Sequence, residues 1–339
     1  MQHKQFLPVT LNPCIDINYY SKEIKFDDVV RIKEKKTSAG GKGFNIARFL
    51  IQYDVDVKPV GITGGLNGIR FKQLLSENRI PTEYLIDVPG EIEIRENHNF
   101  FFEDGTVLRF NEPGPLIPER LFRKILEFIV KIELKSGSWI FFCGSLPPGI
   151  PEDFYSIAIK EIRKKNNEVM ICVDSDGYFL KSAISAAPDL IKPNIKELER
   201  LFSTKITNLG ELKKAGEKLL DSGIRFVLVT MGSNGSVGFC KEGFFYARGP
   251  VIEKAGSVGC GDVFLAGFAL FYSKEKKIKE SLRFATACGT AKAEKQFTII
   301  PAPFEVEKIL AKTFIANFDD LDEKIEISNL RQLRAKEST

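Results

Sequence analysis

The chain has 339 residues, 43% of them hydrophobic, enough to bury one large α/β core or two ordinary ones. Its 49 Lys and Arg against 45 Asp and Glu leave a net charge of +4, spread along the chain rather than gathered into the basic stripe of a nucleic-acid binder. Two histidines and six scattered cysteines without a C-x-x-C pair argue against a zinc site or a disulfide framework. No run reaches the ~18 apolar residues of a membrane span, and residues 1–13 lack the apolar core of a signal peptide. A cytoplasmic protein is expected.

In chain order, a β-prone piece at 15–33 precedes amphipathic, helix-like periods at 43–52 and 69–78. Residues 84–111 then alternate like strands around Asp104-Gly105, a hairpin turn signal, with no helix long enough to cover them. Together, 15–33 and 84–111 are expected to form a small sheet that projects over the main body as a lid. From there the pattern alternates. Strands are predicted at 139–143, 169–173, 190–191 and 226–230, and helices at 118–134, 151–165, 210–222, 261–272 and 278–294. Short apolar strands followed by longer amphipathic runs predict βαβ units around a mostly parallel sheet, whose ligands sit at the strands' carboxyl ends. One domain is expected over 1–316. The charged tail, 317–339, is expected to be a short helix or disordered.

The strongest chemical signal is Gly256-Ser-Val-Gly-Cys-Gly-Asp262, directly ahead of an apolar helical run. Glycines there can turn N–H groups toward an anion at a helix N-terminus, so Gly259, Cys260 and Gly261 could hold a phosphoryl group in flight while Asp262 takes a proton from the attacking hydroxyl. The plainer reading makes Asp262 a helix cap. Cys260 is read as a small buried residue rather than a nucleophile, because both histidines lie far away in the chain. Ser38-Ala-Gly-Gly-Lys-Gly-Phe-Asn45 is not a Walker A loop, since Gly43 follows Lys42 where Ser or Thr is required. Gly40 and Gly41 would instead let hydroxyls approach the backbone, with Lys42 as a cation and Asn45 as donor and acceptor. Asn194 and Glu197 lie one helical turn apart and either organise hydrated Mg²⁺ or form a capping box. Thr230, Gly232 and Gly235 belong to a strand and Gly-rich turn that could lie along nucleotide phosphates or be an ordinary hairpin.

The order of these pieces, from about Thr10 to Pro301, resembles the ribokinase-like carbohydrate kinases of the PfkB family. Thr10-Leu-Asn-Pro-Cys-Ile-Asp16, Asp28-Val-Val-Arg31, Gly40-Gly-Lys-Gly-Phe-Asn45, Gly144-Ser-Leu-Pro-Pro-Gly149, Lys192-Pro-Asn-Ile-Lys-Glu197 and Gly259-Cys-Gly-Asp262 are similar to its hexose-phosphate branch. The resemblance implies a ribokinase-like three-layer α/β sandwich with a small β lid, the use of ATP and Mg²⁺, and Asp262 as base. It implies that Asp16, Gly40, Gly41, Lys42, Asn45 and Ser145 hold the sugar, that Arg95 and Arg109 on the lid meet its phosphate, and that Lys192, Asn194, Thr230, Gly232 and Gly235 serve the nucleotide. Fructose 1-phosphate is the leading substrate, with tagatose 6-phosphate, fructose 6-phosphate or a silent sugar-phosphate-binding regulator as alternatives. Pairing into a homodimer through the lids is also implied. The chain departs from the family in Cys260 and Val263, where small residues and serine are usual, in a glycine-free 295–301 stretch, and in its longer tail.

Overall fold

The computed structural model describes residues 4–332 apart from 89, 91, 254, 255, 257 and 297. The first half runs β1 (Gln5–Thr10), β2 (Cys14–Ser21), β3 (Glu34–Gly40), α1 (Lys42–Leu50), β4 (Asp56–Val57), β5 (Val60–Thr63), α2 (Gly65–Glu77), β6 (Leu85–Asp87), β7 (Arg95–Phe102) and β8 (Val107–Asn111). The second half adds α3 (Glu119–Lys131), β9 (Trp139–Cys143), α4 (Phe154–Lys165), β10 (Met170–Asp174), α5 (Gly177–Ile184), β11 (Leu190–Ile191), α6 (Ile195–Phe202) and α7 (Leu209–Asp221). It closes with β12 (Phe226–Thr230), β13 (Ser236–Cys240), β14 (Gly243–Arg248), α8 (Cys260–Glu275), α9 (Ile278–Ala293), α10 (Pro303–Leu310) and β15 (Phe314–Asn317).

The main sheet has the order β15-β14-β13-β12-β11-β10-β9-β1-β5-β6, parallel from β12 to β6 and antiparallel from β12 to β15, with β4 also beside β1. Its central strands are buried on both faces, and so read as unbroken apolar runs such as Trp-Ile-Phe-Phe-Cys in β9. Alternate side chains then feed two cores. Leu7, Val9, Ile140, Phe142, Ile171 and Val173 pack under α3 to α7, whereas Phe6, Trp139, Phe141, Met170 and Cys172 pack under α1, α2 and α8 to α10. This gives the three layers that the family resemblance implies, around the mostly parallel sheet that the strand and helix alternation predicts.

The chain goes from β1 toward β6 on one side and returns to β9 on the other, so the strand order reverses at β1/β9. A crevice opens at the carboxyl ends of such strands. Both excursions that build the second sheet leave from that end. This four-stranded sheet has the order β3-β2-β7-β8, with β2 and β7 parallel and the outer pairs antiparallel. Its boundaries differ from those expected. β3 lies beyond residue 33, and β6, although within 84–111, joins the main sheet through β5.

Beyond Asn317 the chain takes the short-helix alternative, with 3₁₀ turns at Phe318–Asp320 and Ile327–Gln332, rather than a loose tail. Phe318, Ile327 and Leu330 are buried in the core under α7, and the backbone amides of Leu209, Gly210 and Ile327 bond across between α7 and this segment. Arg248 donates to the carbonyls of Leu330 and Arg331. Residues 333–339 of the expected tail lie outside the described ones. Truncating Leu330 to Ala should therefore cost about 3 kcal/mol in urea unfolding, the range of a fully buried leucine; a change below about 0.5 kcal/mol, as at surface sites, would mean that the tail is not part of the core.

Candidate active site

Four of the parallel strands end by delivering a polar residue to the crevice. β1 ends at Thr10, whose Oγ1 accepts from Gly43 N–H at 2.9 Å and ties α1's first turn to the sheet. β10 ends at Asp174, β11 leads into Lys192, and β12 ends at Thr230, bridged to Asn194. From the other side, α8 begins at the glycine-rich loop. Gly259 is its N-cap with φ +74, a left-handed conformation that suits glycine, and no side chain caps the helix. The first-turn amides of Cys260, Gly261 and Asp262 are thus the unpaired donors of a helix start, where a bound anion is stabilised. Asp262 is inside the helix, and the structure sets aside its reading as a cap.

Asp262 is buried and accepts from Asn45 Nδ2 at 2.8 Å. Arg48, one turn along α1, donates to the other end of that amide, Asn45 Oδ1, at 2.8 Å, and is itself held by a bond to Ala39 O at 2.9 Å. The amide is therefore locked with its N–H₂ toward the carboxylate. Burial, and then the charge of Asp174, push Asp262 up to about 6, against the pull of Lys42, Asn45 and Lys192. A carboxyl so poised is a capable proton acceptor near neutrality.

Asp174 is the floor of the site. Its Oδ1 meets Lys42 Nζ at 2.9 Å and Lys192 Nζ at 3.3 Å, while Oδ2 is buried without a hydrogen-bond partner. Burial alone would raise this acid; Lys192 and then Lys42 overcome burial and hold it below the usual carboxylate range. Burial also opposes the charge of Lys42, but Asp174 and then Asp262 keep it above its ordinary value. Lys192 reaches further forward, with its Nζ 3.2 Å from where a Cβ on Gly261 would stand. One carboxylate thus fixes two ammonium groups beneath the first turn of α8.

The four-stranded sheet contributes the opposite wall. Cys14, Asp16 and Asn18 on β2 lie level with Arg95, Asn97 and Asn99 on β7, which in turn brings Asn111 and Arg109 on β8 to the same face. The other face carries Ile15 and Ile17 into the core. Asp16 accepts from Asn97 Nδ2 at 3.0 Å, and Gly40 admits its carboxylate, since a Cβ there would fall 2.3 Å from Oδ2. Burial raises Asp16, partly offset by Asn97, Cys14, Arg95 and Arg48. Gly41, with φ +124, turns the chain into α1. Arg95 is tied into the lid's root, donating to Asn12 O, Glu112 O and Asn97 Oδ1, while Arg109 is exposed further out. Ser145 is exposed after β9 and accepts from Asn12 Nδ2 at 3.2 Å.

Past β11, at the start of α6, Asn194 and Glu197 form a reciprocal capping box, at 3.0 Å and 2.8 Å. Gly232 and Gly235 have φ +57 and +96 in the turn between β12 and β13. Sequence reasoning missed Asp174, Arg48 and Asn12. The available signals were an acid ending an apolar strand, an arginine three residues after Asn45, and Asn12 directly before Pro13. A shallow groove of about 600 Å³ lined by Ile157, Lys160 and Lys164 lies on α4, toward the sheet's amino ends and remote from these groups.

Burial pushes the Cys260 thiol up to about 11 and its Sγ donates to Gly256 O, so the loop offers amides and a carboxylate rather than a nucleophile of its own. Such chemistry moves an anionic group onto a bound hydroxyl, and the chain is a phosphotransferase with an alcohol acceptor. Residues 6–305 match the model described as pfkB family carbohydrate kinase, and the chain belongs to that family. It is 31% identical over 285 residues to 1-phosphofructokinase of Bacillus subtilis (strain 168), covering 84% of this chain and 91% of the relative. It is 30% identical over 295 residues to a tagatose-6-phosphate kinase of Staphylococcus epidermidis, covering 86% and 93%. Phosphofructokinase-2 from Escherichia coli, crystallised with potassium, superposes with a TM-score of 0.83 at 26% identity, over 91% of this chain and 99% of that one.

With Asp262 as base, transfer should slow as pH falls through about 6, because protonation removes the acceptor. Asn45→Ala deletes a bond to the ionised form and should move that acid limb of kcat/KM to higher pH. A limb that stays put, or moves down, contradicts the assignment.

Proposed function

We propose that this chain transfers the γ-phosphoryl group of ATP to a sugar phosphate, with fructose 1-phosphate as the leading substrate and fructose 1,6-bisphosphate as product. The observation that carries the reading is the convergence of Lys42, Lys192 and the α8 amides beside a carboxyl poised near neutrality. Two adjacent phosphates need such a positive field, and a hydroxyl acceptor needs such a base. The sugar lies between the lid's polar face and α1, with Asp16, Gly40, Gly41, Asn45 and Ser145 around its hydroxyls and Lys42, Arg95 and Arg109 toward its phosphate. Asp262 takes the proton of the attacking oxygen as that oxygen bonds to phosphorus. The bond from phosphorus to the β,γ-bridging oxygen breaks, and Gly259, Cys260 and Gly261 steady the charge on the remaining oxygens.

Lys192, Asn194, Thr230, Gly232 and Gly235 line the nucleotide side. Mg²⁺ would arrive with ATP, held toward Asn194 and Glu197 through water, and would neutralise phosphate charge. The residues fit. Glu197 is raised by burial and by the nearby charge of Asp174, so a divalent cation would relieve both carboxylates. No group of three or more candidate ligands gathers among the described residues, as suits an ion that is shared with substrate phosphates and water. Among the described residues no helix is long and apolar enough to cross a membrane, and a cytoplasmic enzyme fed by ATP is the reading we adopt.

The test is ADP release with ATP and Mg²⁺ across fructose 1-phosphate, tagatose 6-phosphate, fructose 6-phosphate, fructose and ribose. Turnover should require a phosphorylated sugar and fall at least about 100-fold in Asp262→Asn. Turnover of neutral sugars alone would overturn the phosphate roles of Lys42, Arg95 and Arg109. Fructose 1-phosphate should be the preferred acceptor, and a preference for tagatose 6-phosphate would transfer the assignment to the second relative's activity.

A homodimer through the lids completes the proposal. Phe110 on the edge strand β8 is 58% exposed and Phe26, in the β2–β3 connection, is 83% exposed, apolar surface on a sheet edge that calls for cover. Light scattering should give a dimer that Phe110→Lys shifts toward monomer; a monomeric parent at micromolar concentration contradicts it.

A further inference from the structure

Beyond residue 305, where the family match ends, the chain does more than fill the core under α7. Its 3₁₀ segment Ile327–Gln332 packs against Gly232–Asn234, the turn that joins β12 to β13. Two contacts fix the backbone of that segment. Leu330 is fully buried, and Arg248 at the end of β14 donates to the carbonyls of Leu330 and Arg331 at 2.9 Å and 2.7 Å. The Arg331 side chain then reaches the turn itself, where its Nε donates to Ser233 O at 3.0 Å. An exposed arginine ordinarily trails along the surface with its head in water. Arg331 is exposed, yet it bonds a backbone oxygen 98 residues earlier in the chain.

That bond completes a pattern. Gly232 O accepts from Gly235 N–H at 3.2 Å, Gly235 O from Met231 N–H at 2.8 Å, and Asn234 O from the Tyr246 hydroxyl at 2.9 Å. Ser233 O takes the fourth bond, and its donor comes from outside the family match. Every carbonyl of the turn is therefore tied back into the protein. A carbonyl left free beside a polyphosphate would repel it, whereas a bonded one is fixed and partly neutralised. The two ends of the turn are held differently. Gly232 and Gly235 are both left-handed, at φ +57 and +96, and glycine backbones keep one shape only when their surroundings impose it. A Cβ on Gly235 would fall 2.2 Å from Ala247 O, while one on Gly232 would meet no described atom within 4 Å. β14 thus pins the Gly235 end, and Arg331 pins the end at Gly232 and Ser233.

We propose that Arg331 is a positioning residue for the nucleotide: through Ser233 it sets the shape of the β12–β13 turn, and so the affinity for ATP and ADP. This rests on the nucleotide role given above to Gly232 and Gly235. Arg331 touches neither the sugar phosphate nor the reacting atoms. The C-terminal segment is on this account a strut for the nucleotide side, anchored by Leu330 and Arg248 and ending on the turn.

The test is Arg331→Met in the full chain, which keeps an unbranched stem over Leu330 and removes the donor. Affinity for ADP with Mg²⁺, titrated calorimetrically, should fall about 3- to 10-fold, the worth of one hydrogen bond, and KM for ATP should rise by the same factor. KM for the sugar phosphate and kcat should stay within about twofold. Tm should stay within about 1 °C, as at other surface sites. If circular dichroism shows the Met variant unfolded, the same quantities are read from Arg331→Gln. A folded variant with parental ADP affinity would overturn the inference, and so would equal rises in both KM values with a lowered Tm, which describe a loosened fold rather than a displaced turn. A parent that binds ADP but turns over no sugar phosphate would sink the function reading and leave the ADP titration to decide this one; a parent that binds no ADP would overturn the nucleotide role of the turn and this inference with it.

Discussion

The site depends on a single buried carboxylate. Asp174 lies at the end of an apolar parallel strand with two lysine ammonium groups on one of its oxygens. An acid there is costly alone, and two lysines there would be costly without it. Together they form a fixed positive floor whose geometry is set by the sheet. The same negative charge reaches Asp262 and holds its proton more tightly. On the proposed reading, one group thus positions the cations that would attract phosphate and tunes the carboxyl that would deprotonate the acceptor.

The fold explains why these groups meet. Strand alternation divides the apolar residues between two helical layers, leaving only the carboxyl ends of β1, β9, β10, β11 and β12 open for polar work. The reversal of strand order at β1/β9 creates the crevice, and the second sheet rises from the β1 and β6 ends beside it. Its polar face, centred on Asp16 and Asn97, is turned away from Ile15 and Ile17 because those two are committed to the core. Arg48 and Asn45 then connect the wall of α1 to the base.

Much of this was legible in the chain. Glycine spacing marked the α8 loop and the α1 entrance because only particular residues tolerate those backbones, and apolar strands of five residues stood out between amphipathic helices. Asp174 was only weakly marked, since an acid ending an apolar strand shows no role until two distant lysines are brought to it. Glu34–Gly40 was missed because Glu-Lys-Lys-Thr-Ser is a poor strand sequence that pairs only through its neighbour β2. The β-branched Val29 and Val30 drew the expected strand into a segment that the structure leaves as a connection, with Asp27 left-handed at φ 61. Asn194 and Glu197 show the converse case: their spacing fits both a cap and a cation site, and the cap that forms engages Asn194 Oδ1 and only one oxygen of Glu197, Oε2. The tail's burial was hidden because Phe318, Ile327 and Leu330 are sparse among charges and become a stripe only against α7.

The most direct test of this account is the pH dependence of phosphoryl transfer in Asp174→Asn. Removing the shared charge leaves Lys42 and Lys192 acting on Asp262 unopposed, so the acid limb should move to lower pH, while KM for ATP and for the sugar phosphate should both rise as the two lysines lose their anchor. An acid limb and both KM values unchanged from the parent would show that Asp174 neither tunes the base nor holds the cations.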